Sequence, residues 1–291
     1  MANYAFQIIS DSSCDMPEVY YQEHGIECVN LGLQIEGKLY NGEEGEPISA
    51  PAFYEKLRGG AMPTTFQVTP EQVKLHAERF LKEGRDVLAI VFSSGLSGTA
   101  HSFQVAAEDL MKKYPQRKFL VVDSLAASMG EGLLLDYVIK KAETGASIEE
   151  TAAYAESIKL HICHWFTVED LFHLKRGGRV SATTAMVGTL LNIKPVLHVD
   201  DEGHLINMSK AMGRKKSIRA LVDRMEELNT IGKDDPVFIS HGDCIEDAEF
   251  LAKLVKERFG EREIKIHFVG PVIGTHSGAG TLALFFMGTH R

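Results

Sequence analysis

Residues 86–99 decide the fold: Asp86-Val-Leu-Ala-Ile-Val-Phe92 runs directly into Ser93-Ser94-Gly95-Leu96-Ser97-Gly98-Thr99. A near-continuous apolar run suits a strand buried on both faces, and such strands belong to parallel sheets covered by helices. The hydroxyl and glycine residues behind it turn the chain into a helix over about 98–113. The free N–H groups and positive dipole end at that helix start suit an anion. A tight turn into an N-capped helix is the plainer account, yet three serines and two glycines exceed what one cap needs. Two sharper motifs fail on spacing. A P-loop needs a lysine where Gly98 stands, and the nucleophile elbow G-x-S-x-G finds its second glycine one position early.

Working outward, Phe6–Ser10 reads as a strand ending in Asp11-Ser12-Ser13-Cys14-Asp15, where Asp11 and Asp15 suit a turn or a magnesium ion equally. Pro17, Ser49 with Pro51, and Thr69 with Pro70 open helices. A strand over 118–122, an apolar helix over about 126–141 and the capping box Ser147-x-x-Glu150 follow. This alternation implies right-handed crossovers in a parallel sheet, with ligands at the carboxyl ends of its strands. Near residue 160 the pattern changes. His161–Thr167 reads as a strand, Thr167-x-x-Asp170 caps a short helix stopping at Gly177-Gly178, and a hairpin turns at Asp200–Gly203. Helices over about 213–229 and 245–259 alternate with strands near 237–240, 264–269 and 281–287. The expectation is an α/β protein of two domains. Residues 1–160 form an N-terminal parallel-sheet domain and residues 161–291 a C-terminal mixed-sheet domain, joined tightly because no linker composition separates them.

Composition bounds the function. The 291 residues are 44% hydrophobic and 24% charged, which is ordinary globular composition and excludes disorder, collagen and a disulfide scaffold. A net charge of −9 and the lack of a helix-turn-helix pattern argue against a DNA-binding regulator. No apolar run approaches the ~20 residues of a membrane helix. The first residues lack the pattern of a secretory signal, and Cys14, Cys28, Cys163 and Cys244 make no C-x-x-C. A soluble cytoplasmic protein with reduced thiols is expected.

Three further segments bear on chemistry. Pro63-Thr64-Thr65-Phe66-Gln67, taken alone, is a turn. Ile273-Gly-Thr-His-Ser-Gly-Ala-Gly280 is too glycine-rich for a helix or strand interior and reads as a loop. Its flanking glycines let His276 approach a ligand closely, although a lone loop histidine is more often structural. Leu174-Lys175-Arg176-Gly177-Gly178-Arg179 is either a solvated helix end or a site for an acidic or phosphate-bearing partner. His161 and Cys163 face the opposite side of a strand from His164, which disfavours zinc, and no metal is expected.

In this order, the segments resemble the DegV family of bacterial fatty-acid-binding proteins, which includes the acyl-binding subunits of fatty acid kinase. The resemblance spans the chain: Ile9-Ser-Asp-Ser-Ser13, the Thr65 segment, Ser93 to Thr99, Val121-Val-Asp-Ser124, Leu171 to Ser181, Gly188 to Val196, Gly213-Arg-Lys-Lys216 and the loop around His276. It implies a long-chain fatty acid such as palmitate in a buried acyl-chain pocket between or beneath the two domains, and no cofactor. Head-group contacts then fall on Thr65 and Ser94, with Thr64, Ser93 and Ser97 as neighbours and His276 closing the site. A separate ATP-dependent kinase subunit would phosphorylate the carboxylate for phospholipid synthesis, docking on Lys175, Arg176 and Arg179. Two positions depart from the family pattern: Phe66-Gln67-Val68 follows Thr65 where Ser-x-Pro is usual, and Met212 replaces an arginine before Gly213.

The chemistry of such a ligand fits these residues. Burying a C16 chain supplies about 10 kcal/mol before ordering costs, and Ala185–Leu191 and Leu282–Met287 offer apolar walls. An ionised carboxylate must be hydrogen-bonded to be buried. Hydroxyls and helix amides are donors without a full counter-charge. The rival expectation is an enzyme, a hydrolase or phosphotransferase using Ser94 or Ser97 with His276.

Overall fold

The computed structural model describes residues 4–169, 171–180, 192–228, 232 and 235–291. In chain order the elements are β1 Gln7–Asp11, α1 Glu18–His24, β2 Glu27–Val29, β3 Gly32–Ile35, β4 Lys38–Asn41, α2 Ala50–Arg58, β5 Thr64–Phe66, α3 Pro70–Lys82, β6 Val87–Val91, α4 Thr99–Lys113 and β7 Phe119–Asp123. They continue as α5 Met129–Glu143, α6 Ile148–Ile158, β8 Ile162–Thr167, α7 Phe172–Arg176, β9 Ile193–Val199, β10 Leu205–Met212, α8 Arg214–Glu227, β11 Val237–His241, α9 Ile245–Phe259, β12 Ile264–Phe268, α10 Pro271–Ser277 and β13 Leu282–Met287.

Every residue of β6 is buried, and it lies parallel between β1 and β7 in a sheet of order β2-β1-β6-β7. All strands of that sheet precede residue 124. The strands after residue 161 form a mixed sheet of order β10-β9-β8-β13-β11-β12, in which β11 and β12 are parallel. The apolar helix α5 is buried without a break from Met129 to Asp136 and packs against β6 of the first sheet and β8, β11 and β13 of the second. A helix apolar on most sides is an interior helix. One core therefore crosses the seam, joining Leu88, Ile90 and Leu134 to Phe166, Phe238 and Phe285.

Several local expectations are corrected. Thr64–Phe66 is not an isolated turn but strand β5, paired antiparallel with β3 in a small sheet of order β4-β3-β5. The glycine-rich segment before residue 278 is not a loop but helix α10. Pro271 opens it in the first turn, where a proline leaves no helical hydrogen bond unmade. Gly274 sits where a Cβ would stand 2.6 Å from the Tyr54 hydroxyl and 2.8 Å from Phe53. Glycine is thus selected by close packing rather than by a need for a loop. Thr167 ends β8 and does not cap α7, whose N-cap is Leu171 without a side-chain bond; Asp170 lies outside the described residues. The hairpin connection is Asp200–His204, one residue longer at its end than the expected turn, because Val199 pairs with Leu205. Among the described residues, no helix is long and apolar enough to cross a membrane.

Since α5 is shared by both sheets, Leu134→Ala is expected to cost about 2–5 kcal/mol. Urea unfolding followed by circular dichroism and by Trp165 fluorescence should show both signals shifting together. A shift in one signal only would mean that the two sheets unfold independently.

Candidate functional site

The carboxyl end of β6 builds the first wall. Phe92 N–H donates to Asp11 Oδ2 at 2.9 Å, so Asp11 serves as a cap joining β1 to this loop. The Ser93 carbonyl accepts from Leu96 and Ser97 N–H, both at 3.1 Å, which closes a tight turn. Ser93 Oγ is buried and donates to Gly203 O at 3.0 Å, tying the β9–β10 hairpin tip over the loop. Gly95 allows that approach, since a Cβ there would stand 2.7 Å from Glu202 O. Ser94 turns outward, exposed, with its N–H on Asp123 Oδ1 at 3.2 Å. Ser97 turns inward, its Oγ accepting from Thr99 N–H at 3.2 Å at the start of α4.

Strand alternation on β5 sets the second wall. Thr64 and Phe66 are exposed while Thr65 points inward, and Thr65 Oγ1 lies 2.8 Å from His276 Nε2 on α10. Gly177 makes room for this imidazole, because a Cβ there would collide with His276 Nδ1. Burial lowers the His276 pKa to about 4, assisted by Arg179, Arg176 and His173. The imidazole is therefore neutral at pH 7.

Two residues of the cationic run are drawn into the fold. Arg176 donates to Pro63 O at 3.0 Å and to Thr275 O at 3.2 Å, bracing α7 against β5 and α10. Arg179 donates to Leu96 O at 3.3 Å and 3.2 Å and to Gly177 O. Both are half-buried, and Lys175 alone of the three is exposed. The backbone carbonyls left at turns and helix ends explain this: they need donors, and a long forked side chain reaches two at once.

These residues open on a cavity of about 190 Å³, more than ten times the ~10–15 Å³ that one water requires. Thr65, Ser97 and His276 line it together with Gln67 and Arg179, whereas Thr64, Ser93 and Ser94 do not. Its apolar lining comes from both sheets and includes Phe92, Phe166, Val199, Ala283 and Phe285. On β13 only Ala283 and Phe285 face it, while Leu282, Leu284 and Phe286 belong to the core beneath α8 and α9. The other expected wall, Ala185–Leu191, lies outside the described residues. Ser128 also lines the cavity, donating to Asp15 Oδ2 at 2.6 Å, and burial raises the Asp15 pKa to about 7. In the sequence, Gln67 stands out only as a departure from a family pattern. It follows β5 directly, and its amide reaches the Ser102 hydroxyl on α4 at 3.4 Å.

His276 offers a direct check. Its imidazole signals in NMR should titrate near pH 4, and Gly177→Ala should move that value up by displacing the ring toward water. The unfolded chain takes this proton near pH 6.5, so the stability that His276 contributes is full above 6.5 and falls as pH drops toward 4. Titration near 6.5 in the unmodified protein would contradict the described burial.

Comparison with known proteins places the chain. The family model described as an uncharacterised protein of the DegV family matches residues 5–289. A DegV domain-containing protein of Clostridium perfringens is 42% identical over 97% of this chain and 97% of its own. A solved Thermus thermophilus protein, described as a fatty-acid-binding DegV family member, superposes with a TM-score of 0.87 at 29% identity over 98% of this chain and 99% of its own. DegV of Bacillus subtilis, described as a fatty acid binding protein, gives 0.84 at 27% identity over 99% of this chain and 100% of its own.

Proposed function

This chain belongs to the DegV family, and from that premise we propose that it carries a long-chain fatty acid and presents its carboxylate to a separate ATP-dependent kinase subunit in the cytoplasm. The observation that supports this reading most is the placement of a hydrogen-bonding cluster, Thr65, Ser97 and His276, on the wall of an apolar cavity. A fatty acid has the same division. Its tail gains roughly 0.8 kcal/mol for each methylene buried, and its head must keep hydrogen bonds. If His276 Nε2–H donates to Thr65 Oγ1, the threonine hydroxyl is free to donate to a carboxylate oxygen. Ser97 Oγ likewise keeps its proton for the ligand when it accepts from Thr99 N–H. The carboxylate is ionised at pH 7 and needs no base to attack a phosphoryl group. The chain itself then performs no chemistry, and the acyl phosphate serves phospholipid synthesis.

The enzyme reading finds no support in this geometry. The hydroxyl against His276 is that of Thr65, no hydrogen bond joins His276 to Ser94 or Ser97 among the described residues, and Ser94 is exposed.

Mass spectrometry of an organic extract of the denatured protein should find a C14–C18 fatty acid at about one per chain. Thr65→Ala and Ser97→Ala should each weaken binding by about 1–3 kcal/mol, and Ser94→Ala should leave it unchanged. An extract without lipid, from protein that also fails to bind added fatty acid, would end the carrier reading.

Kinase coupling has its own test. With ATP and a DegV-partner kinase subunit, bound fatty acid should become acyl phosphate. Lys175→Glu should slow that conversion without releasing lipid, because Lys175 is exposed whereas Arg176 braces the site. Undiminished conversion by the variant would move docking elsewhere.

A further inference from the structure

A second polar feature interrupts the apolar part of the cavity. Ser128, at the N-cap of α5, and Ser240 on β11 both line it. Ser240 is fully buried and ends a row across three strands, because Ala283 pairs with both Phe166 and Ser240. Its neighbours along that wall are therefore apolar. An N-cap serine ordinarily bonds its own helix, but the Ser128 hydroxyl makes no cap bond. It stands 2.6 Å from Asp15 Oδ2 and 3.0 Å from Ser240 Oγ. Asp15 fits there because Gly270 has no side chain; a Cβ would collide with Asp15 Oδ1. Gly270 precedes α10 and His276 lies in its last turn, so about 9 Å of helix separates this group from the polar cluster.

Each serine hydroxyl has one proton. With Asp15 ionised, Ser128 donates to the carboxylate, and the hydrogen between the two serines must come from Ser240. Ser240 Oγ then offers only lone pairs to a ligand. With Asp15 protonated the order can reverse, and Ser240 has an O–H to give. Burial brings the Asp15 pKa to about 7, so both arrangements are populated near neutral pH. A hydroxyl both donates and accepts, and it matches either arrangement; a ketone or ether matches only the second. We propose that the Ser128–Ser240 pair is a second polar subsite of the acyl cavity, taking a fatty acid that carries a hydroxyl group part-way along its chain. This rests on the fatty-acid reading above and names a subclass of that ligand. A plain methylene chain at this point gives Ser240 no hydrogen bond, and a buried polar atom without one is costly. A site built to bond a hydroxyl accordingly rejects the analogue that lacks it.

The test measures binding of octadecanoic acid and of its 2-hydroxy, 10-hydroxy and 12-hydroxy derivatives to delipidated protein and to Ser240→Ala. The unmodified protein should hold at least one of the two mid-chain hydroxy acids about fivefold or more tightly than octadecanoic acid. The 2-hydroxy acid, whose hydroxyl stays beside the carboxylate, should show no such gain. Ser240→Ala should abolish the preference, weakening the favoured hydroxy acid by about 5- to 10-fold while changing octadecanoic acid by less than about twofold. Equal losses for both acids would reduce Ser240 to a brace for Ser128 and overturn the proposal, as would a preference that survives the substitution. So would equal binding of all four acids by the unmodified protein, a result that holds even where the variant fails to fold. Failure of the unmodified protein to bind any of the four would instead remove the carrier reading.

Discussion

The contact between Thr65 and His276 joins residues 211 positions apart at 2.8 Å, and the site depends on it. One partner belongs to the small sheet inserted before α3, the other to the last helix before β13. Neither element is long enough to stand alone. The meeting is possible because Gly177 leaves room for the imidazole and Gly274 lets α10 settle on Phe53 and Tyr54. Close backbone approach, rather than a catalytic need for flexibility, accounts for the glycines around the histidine.

Electrostatics at this end of the cavity is unusual for an acidic protein. Two half-buried guanidinium groups rest on backbone carbonyls while the histidine beside them stays neutral. Elsewhere on the cavity wall, Ser128 links to a buried Asp15 that burial holds toward its protonated form. Arg179 thus stands on the cavity wall with the polar cluster, while burial raises the carboxyl that Ser128 meets.

The apolar part of the cavity is a consequence of how the layers share their core. Helix α5 touches both large sheets, so Phe92 from the end of β6 and Phe285 from β13 can line one space. The hairpin tip closes over the carboxyl edge of the parallel sheet through Ser93 and Gly203. It is further tied by Arg291, which donates to Asp200 O at 3.0 Å and Leu125 O at 2.6 Å. Distant segments therefore form one enclosure.

Long periodic segments were legible because their signals are local. The buried run of β6, the capping box before α6 and the extent of α9 follow from residues within each element. The three-residue β5 carries too short a pattern to reveal itself, and α10 contains glycines that argue against a helix until the aromatic rings packed on it are seen. The same limit applied to the polar residues. That hydroxyls cluster after β6 was plain in the chain, but Ser97 rather than Ser94 faces the cavity because the turn on the Ser93 carbonyl rotates one inward and the other out. Sequence by itself determined the strand–helix alternation, the chemical types available at the loops and the family pattern. Tertiary structure alone decided which of those side chains meet, since turn closure and glycine-mediated contact set direction in space, and neither is encoded by the periodicity of a single segment.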